Sequence, residues 1–212
     1  MKLIHCADIH LDSPMQTHMT AQQASVRNTE MLQSFVRLTE FAQERAVRAV
    51  LIAGDLFDGA RVRARTVDAL LAAIRRTPEV DYLYLPGNHD EAANAFCDCA
   101  LPGNLKLFGK TWSTVQYDGI AISGVQIGAD AALYETLPHT DGAVNLVMLH
   151  GGIGTACAED VINLKLLKNR GIDYLALGHI HSYQTGPLDE TGSYCYPGCL
   201  EGRGFDECGE KG

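Results

Sequence analysis

Five times along this chain a short apolar run stops at residues able to bind a metal ion. "LIHCADIH" leads to Asp8 and His10, "VLIAGDLFD" to Asp55 and Asp58, "YLYLPGNHD" to Asn88 and His89, "LVMLHG" to His150, and "YLALGHIH" to His179 and His181. Apolar runs of about 4–8 residues bounded by glycine read as strands buried on both faces. In an open α/β sheet the carboxyl ends of the strands lie along one edge, and ligands bind there. Residues spread from position 8 to position 181 are therefore expected to meet at one site.

The segments between the runs supply the rest of an α/β pattern. Ser25 to Arg48 has few breakers, and Met31, Phe35, Leu38 and Ala42 recur at the spacing of one helix face. With the flanking strands this makes a βαβ unit, and a second helix from Val62 to Arg76 repeats it. From Leu105 to Ile127 the composition turns β-rich around an Asp118-Gly119 hairpin signal, where a second sheet is expected to start. A strand over 145–149, a helix over 158–169 ended by Gly171, a strand over 173–177 and the β-rich "GSYCYPG" complete the reading. The expected fold is α/β, a four-layer α/β/β/α sandwich in one domain, 1–212. A chain of 212 residues, 46% of them hydrophobic, can bury one sizeable core.

Composition excludes several classes. No run approaches the length of a membrane span, and no basic leader precedes the first strand, so a cytoplasmic protein with no membrane partner is expected. Seven cysteines, odd in number and without repeated paired spacing, fit reduced thiols better than a disulfide framework. The formal net charge of −9 is the opposite of what most nucleic-acid binders carry. Two divalent cations at the site would reverse that sign locally.

The donor types define the chemistry. Carboxylates, imidazoles and an amide oxygen suit mid-series divalent metals, with manganese the first expectation and iron or zinc as alternatives, and there are more donors than one ion needs. Asp8-x-His10 and His179-x-His181 each place two ligands on one side of an extended strand end. Asp55 is suited to bridge, because a shared anionic oxygen offsets repulsion between two cations. Such a pair suits phosphoester hydrolysis. His5, His18 and His139 fall outside the pattern and read as structural or surface residues. Arg61, Arg63 and Arg65 form a candidate phosphate-contacting loop.

The series Asp8-x-His10, Gly54-Asp55-x-x-Asp58, Gly87-Asn88-His89-Asp90, His150-Gly151 and Gly178-His179-x-His181 resembles the five motifs of the calcineurin-like metallophosphoesterases. "HCADIHLDSP" and "EGRGFDECGEKG" resemble the DNA repair exonuclease branch of SbcD type. The resemblance implies one ion held by Asp8, His10, Asp55 and His181, and the other by Asp55, Asn88, His150 and His179. It also implies that His89 contacts the phosphate and assists the leaving oxygen, with Asp58 orienting its imidazole. Members of that branch continue into a DNA-binding cap and a segment that docks an SMC-like ATPase of SbcC type, and this chain reads as the catalytic core without them. The partners implied are DNA and such an ATPase, and the sequence leaves open whether a second copy completes a homodimer. A small-molecule phosphodiesterase or phosphomonoesterase is the alternative that the acidic charge favours, and a non-catalytic scaffold stands behind it.

Overall fold

In a computed structural model of the chain, two β-sheets pack face to face. The structure describes all residues except 16–18, 60–61, 91–95, 97–98, 127, 129–130, 157, 159, 205–206 and 208–212. The first sheet has four parallel strands in the order β1 (Leu3–Cys6), β2 (Ala49–Ala53), β3 (Asp81–Leu85) and β4 (Leu105–Leu107). Parallel neighbours need long crossovers. Helices α1 (Ala21–Glu44) and α2 (Ala64–Arg75) provide the first two. The second sheet runs β11 (Gln184–Pro187), β12 (Ser193–Tyr196), β10 (Tyr174–Gly178), β7 (Val144–His150), β6 (Ile120–Gly124), β5 (Ser113–Tyr117). Its four central strands are parallel and its two edges antiparallel.

Alternation along the strands explains why they read as unbroken apolar runs. On β2, Val50 and Ile52 pack under the helices with Phe35, Leu70 and Tyr82. Ala49, Leu51 and Ala53 face the second sheet, against Leu146, Met148 and Ala176. On β7, Val147 and Leu149 turn to the far side, where Tyr134 of a 3-10 turn (Ala131–Thr136) and Leu167 of α3 (Leu164–Leu167) cover them. Each fully buried large side chain contributes about 1.5–3 kcal/mol relative to exposure. The α/β/β/α sandwich is therefore present, with a thin fourth layer.

Three expectations need correction. α1 starts at Ala21 rather than Ser25, because Thr20 and Gln23 form a capping box that satisfies the first free N–H groups. Leu105 does not open the second sheet: β4 pairs in parallel with β3, and the second sheet begins at Ser113. The helix expected over 158–169 is one turn. Val161–Ile162 (β9) is extended and pairs with Gly152–Ile153 (β8), and Asn163 then caps α3 with its side-chain oxygen. β-branched Val161 and Ile162 suit the strand better than a helix. No described helix is long and apolar enough to cross a membrane.

Candidate metal centre

The ligand-type residues sit where strands end and the chain turns sharply. Asp8, His10, Asp55 and His179 have φ of 52°, 50°, 50° and 104°, the left-handed region that side chains rarely adopt. Each such residue costs on the order of 1–3 kcal/mol, a strain that concentrates at functional sites. Crossed hydrogen bonds hold the turns: Asp8 N donates to Gly54 O (3.1 Å), His10 N to Asp55 O (2.9 Å), and His179 N to both Asp8 oxygens (2.9 and 3.0 Å). Gly54, at φ 94°, passes so close to the His150 ring that a Cβ would overlap Nδ1.

Two donor sets result. In one, His10 Nε2 and His181 Nε2 lie 3.1 Å apart, and His181 Nε2 is 3.9 Å from Asp8 Oδ1. In the other, Asn88 Oδ1 lies 3.0 Å from His150 Nε2 and 3.3 Å from His179 Nδ1. Asp55 Oδ2 stands between them, 3.7 Å from His10 Nε2 and 3.4 Å from His150 Nε2. Donors about 2.1 Å from one ion lie roughly 3–3.4 Å from each other, so these spacings suit cation binding. Asp8, His10 and His181 form one cluster able to hold a metal, and Asp8, Asp55 and His150 another.

The sequence model of the family described as "Calcineurin-like phosphoesterase" matches residues 1–183. The chain belongs to the calcineurin-like phosphoesterases. Membership makes it a hydrolase of phosphoesters. The phosphoesterase is 27% identical over 230 residues to a protein of Bacillus subtilis named "Uncharacterized metallophosphoesterase YhaO", spanning 100% of this chain and 56% of that one. It is 25% identical over 209 residues to "DNA double-strand break repair protein Mre11" of Methanopyrus kandleri, spanning 85% of this chain and 44% of that one. The chain thus spans about half the length of these relatives. Among solved structures, a dimetal phosphatase from Danio rerio superposes with a TM-score of 0.63 at 12% identity, covering 93% of this chain and 86% of that one. TT1561 of Thermus thermophilus superposes at 0.59 and 13% identity, covering 93% and 89%. These two likenesses concern the fold.

Hydrogen bonds on the far side of the imidazoles aim the phosphoesterase donors. His150 Nδ1 bonds to Ala53 O (2.9 Å) and His181 Nδ1 to Glu207 Oε1 (2.5 Å). With the proton on Nδ1, each Nε2 presents a lone pair to the cluster. Burial pushes Asp8 up to about 7, with His150 and Arg203 opposing and Asp55 adding to the rise. Burial also drives most of the fall of His10 to about 3, and Arg203 lowers it further. Asp55 is driven up by burial, but hydrogen bonding and charge from His150 overcome this and bring it to about 2. A buried carboxylate is costly in charged form, a penalty a bound cation would offset, whereas burial keeps His10 neutral, the form that ligates a metal.

His89 stands at the rim, half-exposed, with Nδ1 3.4 Å from Asp58 Oδ1. Its backbone N–H donates to Asp55 Oδ1 at 2.9 Å. Sequence reasoning missed three residues here. Asp90 accepts from Leu56 N, Phe57 N and Gly87 N (3.1, 2.8 and 2.9 Å), which clamps the Asp55 loop to the Asn88 loop. Arg203 Nη1 donates to Asp58 Oδ2 at 3.0 Å, and Glu207 meets His181. For Asp90 the signal was its place in "GNHD"; Arg203 and Glu207 stand in "EGRGFDECGEKG", a motif that by itself assigns them no contact with the ligands.

Arg63 is bound to Asp12, donating from its backbone N to Oδ2 (2.6 Å) and from Nε to Oδ1 (2.7 Å), where Thr66 Oγ1 also donates. Arg65 is exposed in the first turn of α2, and Arg61 lies outside the described residues. His5 Nδ1 meets the Tyr174 hydroxyl at 3.0 Å, and His139 pairs with Asp141 at the surface. His18 lies outside the described residues. Cys6, Cys99, Cys195 and Cys199 form no disulfide.

Proposed function

We propose that the chain is a metal-dependent phosphodiesterase acting on DNA, a nuclease of the repair type. One ion, manganese first, would be held by Asp8, His10, Asp55 and His181, and the second by Asp55, Asn88, His150 and His179. The observation that carries this is Asp55 Oδ2, within 3.4–3.7 Å of a nitrogen from each donor set. Bound ions supply the charge that orients a phosphate and lowers the pKa of an attacking water.

The chain's own residues do the rest. His89 reaches the open side of the centre, where it holds a proton for the departing oxygen, and Asp58 orients the ring through Nδ1. Asp90 and the strained turns keep the donors fixed before substrate arrives, so little reorganisation is needed at the moment of reaction. Beside Asn88 and His150 opens a cavity of about 840 Å3 lined also by Lys110, Gln126 and Thr136. That is room for a nucleotide flanking the scissile phosphate.

Resemblance to proteins named for double-strand break repair supports DNA as the substrate. Under this reading an SMC-like ATPase is the partner and the cytoplasm the place of action. The net charge of −9 favours the second reading, a small-molecule phosphodiesterase. Assay of manganese-loaded protein on single-stranded DNA, blunt duplex, a cyclic nucleotide and a bis-aryl phosphate separates the two. Cleavage of either DNA supports the nuclease, whereas cleavage of the cyclic nucleotide without DNA supports the alternative. Inactivity on all four overturns both.

A further inference from the structure

The two donor sets are built differently behind their ligands. His150 is held from behind by a neutral backbone carbonyl, Ala53 O. His181 is held by a side-chain carboxylate, with Glu207 Oε1 2.5 Å from its Nδ1 and Glu207 Oε2 accepting from Arg203 N at 2.6 Å. An anionic partner makes an imidazole a stronger donor than a carbonyl does. Asp8 lies within reach of both clusters, so the carboxylate behind His181 is what distinguishes its set from that of Asn88, His150 and His179.

Glu207 is delivered by a closing segment fastened at several points. Cys199 bridges to Ala7 beside β1, and Cys199 N donates to His181 O at 3.3 Å. Glu201 Oε1 accepts from Ser34 of α1 at 2.5 Å, and Arg27 of α1 donates to Gly202 O at 2.9 Å. Beyond these anchors, Arg203 N donates to Glu207 Oε2 at 2.6 Å, while its guanidinium reaches Asp58. The segment therefore joins α1 to the rear of the His181 set.

We propose that Glu207 is a positioning residue that makes the Asp8–His10–His181 set the tighter of the two metal sites, and that the segment strapped to α1 by Glu201 holds it there. This rests on the two-metal reading above. It concerns metal affinity, so its test does not depend on which ester is cleaved.

The experiment is calorimetric titration of metal-free protein with Mn2+, with circular dichroism on each variant. The wild type is expected to bind in two steps, the tighter one being lost in His181→Ala. Glu207→Gln, which keeps the shape and removes the charge, should weaken the tight step about 10- to 100-fold and leave the other within about threefold. Glu201→Ala touches neither donor set and should weaken the same step by a smaller factor. Two unchanged steps in Glu207→Gln, or equal weakening of both, overturn the assignment. If Glu207→Gln fails to fold, an unchanged tight step in Glu201→Ala overturns it instead. A wild type that takes up two equal ions removes the ranking alone. One that takes up none removes the metal-centre reading as well.

Discussion

Gly178→Ala isolates how closely the two sheets must meet at the site. Gly178 ends β10 and pairs with His150 in the β10–β7 ladder. A Cβ there would overlap the Ala53 carbonyl oxygen of the other sheet and lie 2.8 Å from His150 Nδ1 and 2.9 Å from Ala7 Cβ. The obstacle is backbone, so β2 and β10 must part. That breaks the His150–Ala53 hydrogen bond and leaves a buried N–H unpaired, costing about 1–3 kcal/mol. Overpacking adds about 1–3 kcal/mol. For a chain of this size each kcal/mol lowers Tm by about 2–4 °C, so the expected drop is roughly 5–20 °C. Binding of Mn2+ at the His150 set should weaken as well. Thermal unfolding followed by circular dichroism measures the first effect and calorimetry the second. Gly109→Ala is the control, because nothing lies within 4 Å of a Cβ at that position. A Gly178→Ala protein melting within about 2 °C of wild type with both metal steps intact would refute the reasoning.

Three further outcomes are expected. Asp55→Asn should weaken both metal steps together, since its Oδ2 faces a nitrogen of each set; elemental analysis showing loss of one ion only would contradict a bridging role. His89→Ala should retain metal and fold while turnover on DNA falls ~10²–10⁴-fold, with a smaller loss on an activated aryl ester, as steady-state kinetics will show. His5, lowered to about 4 mainly by burial with the Leu177 carbonyl opposing, stays neutral in the folded protein where the unfolded chain, near 6.5, takes up a proton. Its contribution is therefore fully present above about pH 6.5 and is lost as pH falls toward 4, on the order of 2–3 kcal/mol. Urea unfolding of His5→Gln should show a shallower acid loss than wild type, and equal slopes would rule this out.

Much of the centre was legible in the chain because its donors follow strands that are apolar on both faces, a pattern written locally. Parallel strands buried in a layered fold have few arrangements, and all of them bring "CADIH", "GDLFD", "GNHD", "LHG" and "GHIH" to one edge. Asp8, His10, Asp55, Asn88, His150, His179 and His181 do meet there. Local pattern misled where two structures share one periodicity. Val161, Ile162, Leu164 and Leu167 suit a helix by spacing, yet pairing with Gly152–Ile153 makes the first two a strand. Only tertiary structure decided that Leu105 joins the first sheet, that Arg63 binds Asp12, and that Glu207 stands behind His181. These are single long-range contacts between side chains or strand edges. They leave no periodicity along the chain, because burial of a whole face repeats with the backbone whereas one hydrogen bond between distant residues does not.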